Sequence, residues 1–116
     1  MRYVSVVNTS TGEVLAERAA VAETFLARFL GLQWRRSLPK GTGLVLLPNN
    51  SVHMFFMFMR LDVVFVGADG IVQRVGRRLR PWSVGPIVPS ALYCVELPPG
   101  AARLTQPGHA IDLRAT

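Results

Sequence analysis

The residues best suited to chemistry sit in the segment HMFFMFMRLDVVFV, where His53, Arg60 and Asp62 interrupt an otherwise apolar run. If His53 to Val66 forms one strand, His53, Phe55, Met57, Met59 and Leu61 share a face, and Met54, Phe56, Phe58, Arg60 and Asp62 share the other. A strand apolar on both faces must give its rare polar side chains partners, because a buried, unpaired charge is expensive. Asp62 therefore either forms an ion pair with Arg60, Arg28 or Arg35 that sets strand register, or stands with His53 at a pocket rim as acceptor and donor for a polar ligand. A histidine in general acid or base work needs a second group within hydrogen-bond reach. The chain has neither a Gly-x-Ser-x-Gly elbow nor a His-Glu-x-x-His pair to supply one.

Arg74, Arg78 and Arg80 alternate along the run from Ile71, with Gly76 between them and Arg77 on the reverse, and Trp82 follows at once. A row of guanidinium forks suits phosphate or carboxylate, and an adjacent indole suits stacking. The competing reading is a charged strand edge that blocks aggregation. Met54, Met57 and Met59 beside His53 have the soft donors that suit copper(I), but alternation turns Met54 away from the other two, and core filling explains all three. Cys94 and Glu96 share a face of a later run. The thiol reads as a small buried residue, and Glu96 joins Asp62 only if their strands lie close, in which case a carboxylate pair of the glycosidase kind would become available.

These groups need a frame. Tyr3 to Asn8 alternates, Thr9-Ser10-Thr11-Gly12 turns, and Glu13 to Arg18 returns, as in a hairpin. Phe25, Leu26, Phe29 and Leu30 lie on one helical face between Glu23 and Gly31, which predicts one short helix. Thr42 to Leu47, His53 to Val66, Ile71 to Leu79, Leu92 to Leu97 and His109 to Leu113 read as strands, Ala68-Asp69-Gly70 as a tight turn, and the proline-rich Pro81 to Ser90 as loop. Many short strands at close spacing predict a mainly β, jelly-roll-like sandwich or barrel with the helix as a cover.

The 116 residues suit one domain, 1–116, with a core of useful size. Half are apolar, which excludes a disordered chain. Thirteen basic residues, twelve of them Arg, against seven acidic ones give a net charge of +6, which favours anionic partners. Nucleic acid is disfavoured because no recognition helix is evident and aromatic and basic residues are not interleaved. One cysteine excludes an internal disulfide and a thiolate zinc cluster. Arg60 and Asp62 break the one run that resembles a membrane span, and no secretory leader is visible, so a cytoplasmic protein is expected.

The stretch TFLARFLGLQWRRSLP, then HMFFMFMRLDVVFVGADGIV, LRPW and VELPPG in that order, resembles the bacterial and archaeal domain-of-unknown-function family 192. The matching residues are Arg28, Gly31, Leu32, Arg35, His53, Phe56, Met57, Asp62, Pro81, Trp82, Glu96, Leu97 and Gly100. The resemblance implies a β-sandwich or barrel of jelly-roll type with a small helix, and it implies no reaction. Relatives carry Gly-Asp before the last strand, where this chain has Gly108-His109.

The sequence thus leads to a non-enzymatic domain, without metal or cofactor, that binds an anionic or polar ligand or a partner protein. The candidate ligand-binding residues are His53, Asp62, Arg28, Arg35 and Trp82, and the candidate anion-binding residues are Arg74, Arg78 and Arg80. The alternatives are an enzyme that acts on a polar or carbohydrate-like substrate through His53 and Asp62, and a structural or assembly factor.

Overall fold

The computed structural model describes residues 2–24, 27–28, 36–54 and 57–116, with Val52 and His53 described as strand backbone. Nine strands result: β1 (Tyr3–Asn8), β2 (Glu13–Ala22), β3 (Thr42–Leu46), β4 (Ser51–His53), β5 (Leu61–Gly67), β6 (Val72–Leu79), β7 (Val84–Ile87), β8 (Ala91–Leu97) and β9 (Ile111–Ala115). Seven of them form one sheet in the order β6-β5-β8-β3-β2-β1-β9, and β4 and β7 form a separate two-stranded ribbon. All pairings are antiparallel except β2 with β3, whose parallel register needs the crossover between Ala22 and Thr42.

The sheet curls until its two edges touch. Ile71 bridges Ala110, the Val72 N–H donates to the His109 carbonyl at 2.8 Å, and the Gly108 N–H donates to the Val72 carbonyl at 2.9 Å. The result is a half-barrel. Its concave core takes Val4, Val6, Ala19, Val45, Val64, Val66, Val72, Val95, Leu97 and Ile111, and so draws on all seven strands. The convex face of the central strands carries a second apolar layer of Leu44, Leu46, Val63, Phe65 and Cys94, covered by Met54, Met57 and Val88 from outside the sheet. The mainly β, barrel-like expectation is thereby met.

Two local expectations are corrected. The chain from His53 to Val66 is not one strand: β4 ends at His53 and β5 begins at Leu61. At Met54 the backbone turns, with the Met57 N–H donating to the Met54 carbonyl and the Met54 N–H to the Ser83 carbonyl. The two-faced burial expected of the whole run is confined to β5, whose seven residues are all buried, while Met54 and Met57 pack onto the convex layer. The proline-rich segment 81–90 is likewise not all loop, because β7 pairs with β4 through Ser51–Ile87 and His53–Val84. Proline is tolerated there because the ribbon is all edge.

The expected helix from Glu23 to Gly31 falls mostly outside the described residues. Its first turn is visible, with the Ala27 N–H donating to Thr24 Oγ1 at 3.1 Å and the Arg28 N–H to the Thr24 carbonyl at 3.0 Å, an N-cap arrangement. Among the described residues no helix is long and apolar enough to cross a membrane.

Gly43 shows how closely β3 and β8 are apposed. A Cβ there would stand 2.8 Å from the Glu96 carbonyl oxygen and 3.0 Å from Leu97 Cδ2. Backbone cannot yield as a side-chain tip does, so Gly43→Ala should cost about 1–3 kcal/mol of stability. Urea unfolding would measure it, and an unchanged midpoint would show that the strands can part without cost.

Candidate functional site

Asp62 lies on β5 opposite Leu97, pointing into the concave side, and is fully buried. Its partners are backbone amides and not arginines. The Arg78 N–H donates to Oδ1 at 2.9 Å, and the Gly100 and Ala102 N–H groups donate to Oδ2 at 3.0 and 2.9 Å. The expected pairing with Arg60 or Arg28 is not formed. Arg60 donates instead to the Arg78 carbonyl at 3.1 Å, and Arg28 donates to the carbonyls of Glu23 and Leu47. Arg35 lies outside the described residues.

The amide that Asp62 holds belongs to a bulge. Leu61 pairs with Leu79 but Val63 pairs with Gly76, so β6 spends an extra residue where β5 passes Asp62. Arg78 takes the strain, with φ at +50°. The bulge breaks the even spacing expected of Arg74, Arg78 and Arg80. Arg74 stands opposite Phe65 on the convex side, Arg78 occupies the bulge beside the Gly100 turn, and Arg80 follows the strand's end. All three side chains are exposed. Arg77 reaches the Thr105 carbonyl. Among the described residues the ion pairs are Arg2 with Glu23 and Arg114 with Asp112, so none neutralises this cluster.

The cover over the convex face brings together other candidates. The Trp82 N–H donates to the Met54 carbonyl at 2.6 Å. Trp82, at φ +61° and 52% exposed, meets Phe58, 38% exposed, edge to face at 6.2 Å. The Arg36 guanidinium lies 4.9 Å over the Phe58 ring. Met54, Met57 and Met59 all enter the convex apolar layer despite their mixed parity, because the backbone turns between them. The strand that carries His53 belongs to this cover, whereas Asp62 faces the opposite side of the sheet. The side chain of His53 lies outside the described residues.

Glu96 does not join Asp62 either. It pairs with Val63 and Leu44 and so points to the convex side. It is 2% exposed, and among the described residues its Oε1 has no hydrogen-bond partner. Burial pushes its carboxyl up to about 7. Cys94, on the same face, donates to the Asn49 carbonyl at 3.5 Å, and its thiol is pushed far up by burial and by the charge of Glu96. It is a packing residue and not a ready nucleophile. Among the described residues no three His, Cys, Asp or Glu side chains gather to hold a metal.

Comparison with known proteins bears on what this geometry means. The model of domain-of-unknown-function family 192, described as "Uncharacterized ACR", matches residues 6–113. The chain belongs to that family. A UPF0127 protein of Thermococcus sibiricus is 34% identical over 102 residues, which is 81% of this chain and 63% of that protein. The chain thus spans under two-thirds of that relative's length. A UPF0127 protein of Pyrococcus horikoshii is 30% identical over 88% of this chain and 90% of its own. Among solved structures, a protein of unknown function from Novosphingobium aromaticivorans superposes with a TM-score of 0.81 at 25% identity, covering 95% of this chain and 83% of that one. A proposed transcription regulator from Sinorhizobium meliloti gives 0.76 at 20% identity, covering 97% and 92%, a likeness of fold alone.

In this family 192 domain His109 takes part in a local hydrogen-bond network. His109 Nδ1 accepts from the Gln106 N–H at 3.2 Å and lies 3.1 Å from the Asn8 amide nitrogen. A carboxylate oxygen at that position can take the same two donors. Buried Asn8 also donates to Thr105 Oγ1 and accepts from the N–H groups of Ser10 and Thr11. This network closes the end of the half-barrel.

Two outcomes test these assignments. Asp62→Asn turns an amide group toward backbone donors that now meet a carboxylate oxygen, and should cost about 3 kcal/mol in urea unfolding; a loss under about 1 kcal/mol would remove Asp62 from its structural role. For Glu96 the folded value is raised from 4.5 to about 7, so between those pH values the folded state binds the extra proton. Its contribution is complete below pH 4.5, is lost as pH rises toward 7 and is gone above it. The amount is about 3 kcal/mol at ~1.4 kcal/mol per unit. Stability measured from pH 4.5 to 8 should fall more steeply in the parent protein than in Glu96→Gln, and parallel curves would refute the shift.

Proposed function

We propose that this domain is a non-enzymatic binding module that takes an anionic ligand, or an acidic surface of a partner protein, at the arginine-bearing end of β6. One observation carries the reading: Arg60, Arg77 and Arg78 converge on the bulge without a carboxylate in ion-pair contact among the described residues. The local carboxylate, Asp62, is turned inward and engaged by backbone amides. A left-handed conformation favours glycine, yet an arginine occupies it at position 78. Strain of this kind is kept where a side chain has work to do. Arg60 and Arg77 are already tied to carbonyls, so their guanidinium groups are partly ordered before any ligand arrives. Arg80 extends the positive surface toward Trp82, whose exposed ring, with Phe58 and Arg36, supports recognition of a planar or apolar portion of the same ligand. His53, Arg28 and Arg35 remain candidates for the same ligand. Proton transfer between His53 and Asp62 draws no support from an inward carboxylate on the opposite face.

Arg78→Gly with Arg80→Ala is the informative variant. Glycine keeps the bulge and relieves its strain, so stability should hold or rise by about 0.5–1 kcal/mol. Binding to a heparin oligosaccharide, taken as a model polyanion, should weaken at least tenfold, with a shallower dependence on salt. Equal affinity and equal salt slope in parent and variant would overturn the proposal. Binding to acidic peptides but not to phosphate-bearing probes would identify the partner-protein form of it.

A further inference from the structure

Glu96 is a polar group that neither the folding of the sheet nor the arginine surface accounts for. Its cross-strand neighbours on the convex face are Leu44 and Val63, followed outward by Ala20 and Gly76. Over this face lie Met54, Met57, Met59, Leu38 and Ala27, all apolar. The charged or titratable groups around it that the structure describes are Cys94, engaged with Asn49, exposed Arg74 at the margin, and on the cover Arg28, which donates to carbonyls, and Arg36, which lies over Phe58. None donates a hydrogen bond to the Glu96 carboxyl. Buried polar atoms are almost always satisfied, and an orphan such as Oε1 marks a place where something else completes the bonding.

We propose that Glu96 is the floor of a second ligand site, which takes the ammonium group of a small amine whose apolar chain lies beneath the methionine-rich cover. An ionised carboxylate only accepts hydrogen bonds, and an ammonium group only donates them. A carboxylate that meets only an apolar bed among the described residues therefore matches a cation better than it matches an alcohol or an acid. The cover is suited to admit such a guest. Its strands form a ribbon separate from the main sheet, and its inner surface is built from methionines, the most adaptable apolar side chains. Phe58, between Met57 and Met59, presents an aromatic ring with Trp82 on the outer side of the same cover. This site differs from the arginine surface in its anchor, a buried carboxylate of the opposite charge, although both adjoin the Phe58–Trp82 pair.

The test compares n-hexylammonium, n-hexanol and hexanoate on the full chain by thermal shift and calorimetry. Hexylammonium should stabilise the protein and bind at pH 8. At pH 6 it should bind about tenfold more weakly and release close to one proton, because Glu96 then starts protonated. Calorimetry at pH 6 in two buffers of different ionisation enthalpy counts that proton in the parent protein, whatever the variants do. Glu96→Gln should lower the amine's affinity at least tenfold while leaving heparin binding unchanged, which separates this site from the arginine surface. The proposal is overturned if hexanol binds as well as hexylammonium, if no proton is released, or if Glu96→Gln binds the amine like the parent. It is overturned equally if none of the three probes binds.

Discussion

The fold turns on the carboxylate of Asp62. Three backbone amides from two separate segments converge on one side chain, joining β5 to the β6 bulge and to the turn after β8. The Arg78 amide is left over because the β5–β6 ladder is interrupted at the bulge, and the Gly100 and Ala102 amides because they lie in the turn beyond β8. The interruption adds local twist, as do the register shifts within β1–β2 and β5–β8. Asp62 thus satisfies the donors left over at one irregularity of a sheet that curls until β6 and β9 meet.

Glu96 is the instructive contrast. It is a carboxyl one residue from the Asp62–Leu97 pair, buried to nearly the same extent, and yet among the described residues its Oε1 has no hydrogen-bond partner. The two differ in which way an alternating strand happens to aim them. Inward, the carboxylate meets loop amides at the end of the half-barrel. Outward, it meets aliphatic and methionine side chains. Desolvation acts alone on Glu96 and raises its pKa, so chemistry open to this chain on its convex side is that of a group near its proton-exchange point at neutral pH.

Local pattern made several elements legible. The β1–β2 hairpin, the Ala68-Asp69-Gly70 turn and the strand ending at Leu97 were readable because turn residues and alternation report on near neighbours. His53 to Val66 was misread for a physical reason: apolar side chains on both parities suit a doubly buried strand and a folded-over lid equally. The register relation between Asp62 and Glu96 is also out of reach, because it depends on β5 and β8 meeting, strands far apart along the chain. The arginine row was half legible. Its members are exposed, but even spacing presumes an unbroken ladder, and nothing in the letters around Arg77 and Arg78 announces a bulge. Asp62 was correctly singled out as the polar residue needing a partner, while the nature of that partner was not deducible from composition.

The pairing of β1 with β9 carries a different consequence. Val4 lies opposite Ala115, and Thr116 Oγ1 donates to the Tyr3 carbonyl at 3.4 Å, so the chain enters and leaves the half-barrel at one spot. Segments attached before Tyr3 and after Thr116 would depart side by side, without spanning the domain. The unit is therefore shaped as a pendant: it can hang from a single loop of a host protein, or be reopened at the exposed Gly12 turn with its old ends joined, and keep every strand pairing but the one nearest the cut.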